Sequence, residues 1–133
     1  MSAELGLKRW HEVVEAGSDP QALAAMIDEH ATFHSPVVHT PQHGRPIVTA
    51  YLSAAGQTLG NDSFEYVRKL VDGDTAMLEF ATEMEGIHVN GVDIIRFDAE
   101  GNILDFKVMV RPLKAVNKVW EMMAAQLERA KAG

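Results

Sequence analysis

Four consecutive segments in the second half of the chain, residues 64–71, 75–87, 92–97 and 103–110, are rich in apolar residues and separated by short turn-forming runs. Those runs are Asp72-Gly73-Asp74, Val89-Asn90-Gly91 and Asp98-Ala99-Glu100-Gly101-Asn102. Gly and Asn tolerate the positive φ angles that tight hairpins require, so each run predicts a reversal. Connections this short join antiparallel neighbours. Within the second segment Leu78, Phe80, Thr82 and Met84 alternate with Glu79, Ala81, Glu83 and Glu85. A strand of period two buries the first set and wets the second. Glu79, Glu83 and Glu85 therefore read as a solvated sheet face rather than a cation site.

The first half follows a different period. Ala3, Leu7, Trp10 and Val14 share one stripe of a helix that Gly17 ends. In Ser18-Asp19-Pro20 an N-cap acceptor precedes a proline suited to a first helical turn. A second helix is predicted there, with Leu23, Ile27 and His30 inward. Residues 31–36 read as a short strand stopped by Pro36, and residues 37–44 as a loop. Arg45-Pro46 opens a third helix, with Ile47, Tyr51 and Ala54 or Ala55 as its buried side, fading over residues 56–60. Leu113, Val116, Trp120, Met123 and Leu127 predict a C-terminal helix that ends near Gly133. The order helix, helix, strand, helix, four strands, helix is an α+β layout with helices gathered on one face of a curved antiparallel sheet.

Composition narrows the function classes. A chain of 133 residues, 47% hydrophobic, fits one domain with a true core. The net charge of −7 and the lack of a Lys/Arg-rich run argue against binding nucleic acid. The absence of Cys excludes disulfides and thiolate chemistry. No stretch approaches 18 consecutive apolar residues, and the first ten residues lack a leader pattern, so no membrane association and a cytoplasmic location are expected.

Two motifs add a resemblance. Val92-Asp93-Ile94-Ile95-Arg96-Phe97-Asp98-Ala99-Glu100-Gly101-Asn102-Ile103 is similar to a ketosteroid isomerase stretch in which an Asp precedes an Arg-Phe strand end and a Gly-containing turn. Phe33-His34-Ser35-Pro36, followed by Gly44-Arg45-Pro46, resembles the strand ending in Pro and the helix after it. With the order of elements, these resemble the nuclear-transport-factor-two-like superfamily, which includes ketosteroid isomerases and SnoaL-like cyclases. The likeness spans about residues 4–112, with residues 113–131 as a helical extension of one domain covering 1–133. It implies a cone-shaped curved sheet with the N-terminal helices on its concave face, an apolar cavity, and a homodimer through the outer sheet face. By that match Asp93 falls where the isomerases keep a protonated oxyanion-hole acid. Ser35 stands where they carry the Asp base, and Trp10 where they carry a Tyr. Gly91 and Val108 stand where related epoxide hydrolases carry an Arg and an Asp, which disfavours that chemistry.

Strand parity puts Asp93 on one face with Ile95 and Phe97, and apolar surroundings raise a carboxyl pKa. Asp93 is thus a candidate acid or hydrogen-bond donor. An imidazole is a natural replacement for a lost carboxylate base. If Ser35 faces the cavity, His34 faces away, so His39 is the better candidate of the two. The spacing of His34, His39 and His43 matches no familiar ligand motif, and no metal is expected. The candidate lining is Trp10, Phe33, Ser35, Tyr51, Phe80, Phe106 and Val108. Two readings stay open. One is an isomerase, cyclase or dehydratase moving a proton next to a carbonyl of a small, mostly apolar molecule, without a cofactor. The other is a non-catalytic ligand-binding or assembly domain that has lost the general base.

Overall fold

The computed structural model describes residues 2–132, with side-chain surroundings for residues 3–128. The elements run α1 (Ser2–Glu15), α2 (Pro20–Ala24), β1 (Ile27–His34), β2 (Gln42–His43), α3 (Arg45–Leu59), β3 (Glu65–Asp72), β4 (Thr75–Met84), β5 (Ile87–Phe97), β6 (Ile103–Arg111) and α4 (Leu113–Ala132). The strands form one curved, unclosed sheet in the order β2-β1-β6-β5-β4-β3. The pairs from β3 to β6 are antiparallel, whereas β1 and β6 are parallel, with Phe33 opposite Phe106. Among the described residues, no helix is long and apolar enough to cross a membrane.

On α1 the predicted stripe is the packed one: Ala3, Leu7 and Trp10 are buried and Val14 half-buried. Asp19 caps α2, its carboxylate accepting from the Gln21 and Ala22 N–H groups at 3.1 Å. On β4, Leu78, Phe80, Thr82 and Met84 are buried, as their alternation predicts.

Four expectations need correction. First, α2 stops at Ala24, and Ile27 and His30 belong to β1, because pairing with β6 begins at Ile27 opposite Ile103 and overrides the helical spacing. The His30 side chain is exposed. Second, residues 37–44 are not all loop, since β2 pairs with Thr32 and Phe33.

Third, the β4–β5 reversal lies at Glu85 and Gly86, whose φ angles of 49° and 82° make a two-residue hairpin turn. Asn90 and Gly91 sit instead in the middle of β5, opposite Ala81 and Phe80. The Asn90 amide donates to Glu79 Oε2 and to the Phe80 carbonyl, both at 3.0 Å. Gly91 is needed for space, because a Cβ there would collide with the edge of the Phe80 ring. Asp93 consequently stands in mid-sheet, between Leu78 and Val108, rather than at a strand opening.

Fourth, two helices are turned partly away from the expected faces. On α3 Ala54 is buried as expected, but Val48, Leu52 and Leu59 join it, while Ile47 is exposed and Tyr51 half-buried. On α4 Met123 is buried as expected and Val116 and Leu127 are half-buried, but Ala115 and Val119 are the other buried residues, while Leu113 and Trp120 face outward. Gly133 lies outside the described residues.

Candidate active site

The concave sheet face cannot be filled by its own side chains, and a cavity of about 250 Å³ remains between it and α1, α3 and α4. Its walls are mostly aromatic and aliphatic. Trp10 and Phe106 pack with ring centroids 5.1 Å apart, and Phe64 stacks on Phe80 at 5.4 Å. Val119 and Met123 of α4 complete the wall.

Asp93 projects into this enclosure. It is 7% exposed, and no protein hydrogen bond reaches its carboxyl among the described residues. Burial removes the water that would stabilise the carboxylate and pushes its pKa up to about 8. The group is therefore mainly a neutral acid at pH 7, able to donate a hydrogen bond.

Tyr66 of β3 lines the same cavity, and its hydroxyl oxygen accepts from the Trp10 indole N–H at 3.0 Å. With that lone pair engaged, the phenol proton is free to point elsewhere. Burial raises the Tyr66 pKa, the nearby Asp93 charge raises it further, and the Trp10 hydrogen bond opposes both. The hydroxyl thus stays protonated. His11 meets the Tyr66 ring edge-on at 5.4 Å, and its Nε2 is buried without a partner. Burial, then the Lys69 charge, lowers the His11 pKa against an opposing influence from Glu15.

Of the residues singled out from sequence, Asp93, Trp10, Phe33, Phe80, Phe106 and Val108 line the cavity. Four do not. Tyr51 packs behind the wall against Phe33, with centroids 5.2 Å apart. The Ser35 hydroxyl turns back on its own chain, accepting from the Val37 and Val38 N–H groups. His34 contacts Asp105 at 2.9 Å on a partly exposed surface, and His39 is exposed in the loop. His43 meets the Thr32 hydroxyl at 3.1 Å, so the three histidines are not gathered. Among the described residues, no group of three or more His, Asp or Glu is arranged to hold a metal ion.

Sequence reasoning missed Tyr66. The signal was present: Phe64 and Tyr66 share parity, and one of the chain's two tyrosines on an inward strand face invites a search for a partner.

The sequence profile of the SnoaL-like domain matches residues 7–106. Among curated protein sequences, none matches the chain. A steroid delta-isomerase from Pseudomonas aeruginosa superposes with a TM-score of 0.90 and 34% identity, over 99% of this chain and 96% of that one. A protein of cystatin-like fold from Silicibacter pomeroyi follows at 0.82 and 32%, over 91% and 84%. The epoxide hydrolase/cyclase-like enzyme SalBIII, at 0.64 and 23% over 83% and 90%, shares the fold. A profile covering most of the chain and a full-length likeness at this identity place the protein in the SnoaL-like family, within the nuclear-transport-factor-two-like superfamily.

Proposed function

We propose that the protein is an isomerase- or cyclase-type enzyme acting on a small, largely apolar ketone. The observation that carries this reading is the buried Asp93 carboxyl, uncharged at neutral pH and turned into an apolar cavity without a protein partner. A ketone oxygen entering there accepts from Asp93 and from the Tyr66 hydroxyl. Both bonds strengthen as negative charge grows on oxygen, which lowers the barrier to passing a proton from the neighbouring carbon to a water molecule in the cavity, the enolate forming as the C–H bond breaks. The 34% identity to a steroid delta-isomerase supports a reaction of this kind.

A second reading has its own support. Asp93 and Tyr66 are the only titratable side chains lining the cavity among the described residues, and His34 and His39 stand outside it. A domain that binds ketones without turnover fits that lining too. Deuterium exchange separates the two. The enzyme exchanges hydrogens next to the carbonyl of a cyclic enone at neutral pH, and Asp93→Asn abolishes the exchange. Binding of the enone without accelerated exchange would establish the binding domain instead.

The protein is also proposed to pair with a second copy through the convex sheet face. Leu70, Met77 and Met109 are 58%, 39% and 52% exposed there, on the face opposite Asp93. Exposed apolar area of this kind is commonly covered by a partner.

A further inference from the structure

Trp10 and His11 are consecutive residues of α1, and both address Tyr66 of β3. Side chains one residue apart on a helix point about 100° from each other, so Tyr66 sits in the angle between the two. Trp10 holds the oxygen and His11 holds the ring. The indole N–H donates to the hydroxyl at 3.0 Å, and the imidazole meets the phenol ring edge-on with centroids 5.4 Å apart. Trp10 and Tyr66 line the cavity but His11 does not, so His11 reaches a ligand only through Tyr66.

The imidazole suits this place only while it is uncharged. A protonated ring is a donor at both nitrogens, and Nε2 is buried with no hydrogen-bond partner among the described residues. The charged neighbours do not repair this. Lys69 of β3 holds its ammonium 5.8 Å from the Tyr66 ring centroid, and a second cation beside that ring is repelled by it. On α1 itself the exposed Glu15, one turn on, attracts the charge, but burial and Lys69 outweigh it and lower the His11 pKa. From β4 and β5 the concave face brings Ala76, Leu78, Ile95, Phe97 and Asp93, of which Asp93 alone titrates and is mainly neutral at pH 7. His11 is half-buried, so once charged its ring has a short route to water.

We propose that His11 is a positioning residue: its neutral imidazole holds Tyr66 as a donor to the ligand, and protonation turns it out to solvent and frees the Tyr66 ring. The inference rests on the reading of Tyr66 as the second donor to a ketone, and adds the group that keeps it there. Ketone affinity then falls as the solution is acidified. Asp93 gains protons over the same range, so it cannot produce that loss.

The Trp10 indole N–H signal in nitrogen–proton NMR reads the hold on Tyr66 without a ligand. The chain has one other tryptophan, the outward Trp120, and Trp120→Phe assigns the two signals. Between about pH 7 and 5 the Trp10 signal is expected to follow one titration, and affinity for a cyclic enone, by calorimetry, to fall roughly two- to fivefold. His11→Phe keeps an aromatic ring against Tyr66 without a titratable nitrogen, and should leave both readings level. Two surface substitutions carry the sign: Lys69→Met should raise the midpoint of the titration and Glu15→Gln should lower it. A signal unmoved by acid, or moving equally in His11→Phe, overturns the role of His11 and leaves the ketone reading standing. A midpoint that ignores both surface substitutions overturns it too, whether or not His11→Phe folds. A signal that moves as expected while enone affinity stays level overturns the positioning role. No enone binding at any pH, with the signal moving as expected, overturns the ketone reading instead and leaves the hold of His11 on Tyr66 in place.

Discussion

The Trp10 indole N–H donates to the Tyr66 hydroxyl oxygen over 3.0 Å, tying the middle of α1 to β3 beside the cavity that both residues line. The bond has a direction. Trp10 has only a donor, so the Tyr66 oxygen must accept, and the phenol proton remains for a ligand.

Removing the Tyr66 hydroxyl deletes that ligand contact and strands the indole N–H. Tyr66→Phe should weaken binding of a cyclic ketone by roughly three- to tenfold and lower stability by about 1–3 kcal/mol. Trp10→Phe should weaken binding less, because the Tyr66 hydroxyl survives it. Calorimetry and urea unfolding of the two variants provide the check. Equal loss of affinity in both would overturn a direct contact from the Tyr66 hydroxyl to the ligand.

Asp93 makes stability depend on pH. Its carboxyl titrates near its ordinary value of 3.8 when unfolded and near 8 when folded, so the folded chain holds one more proton between those limits. Stability from this group is therefore full below about pH 4, falls by about 1.4 kcal/mol per unit as pH rises towards 8, and levels off above 8. Asp93→Asn should remove the fall. The variant should match the wild type at pH 4 and exceed it progressively up to pH 8 in denaturant unfolding, and parallel profiles would contradict the burial argument.

How far the chain could be read in advance differs from residue to residue. Asp93 was legible because a period of two fixes its face whatever its distance from the turn. The turn itself was not: Asn90-Gly91 has strong hairpin chemistry, but the space needed by Phe80 and the amide bonds of Asn90 hold it in mid-strand. Ile27 and His30 carried helical spacing that parallel pairing with β6 overrode. Tyr66 escaped notice because its role depends on where β3 registers against β4, with Tyr66 opposite Phe80, and on a helix 56 residues away in sequence. Single-strand periodicity carries neither fact.

Gly91→Ala tests the mid-strand assignment. A methyl group at 91 collides with the Phe80 ring and approaches the Met109 carbonyl to 2.8 Å, so the ring must move into the cavity. A loss of about 1–3 kcal/mol in chemical unfolding is expected, together with weaker ketone binding. In a flexible hairpin turn the same change would be nearly silent.

For the convex face, Met109→Lys places a charge in the exposed apolar patch. Native mass spectrometry of the wild type should give a dimer, and the variant a monomer at micromolar concentration. A wild type that is monomeric throughout would exclude pairing by this face.

The parallel contact of β1 with β6 has a kinetic consequence. Phe33 and Phe106 are opposite each other in that pair, both line the cavity, and most of the chain separates them. The local hairpins from β3 to β6 have short loops to close, whereas this junction must bring distant parts of the chain together against a large loss of entropy. The wall of the cavity should thus be among the last parts to assemble. A bound ketone then acts chiefly on contacts absent from the folding transition state, slowing the unfolding rate while leaving the folding rate nearly unchanged.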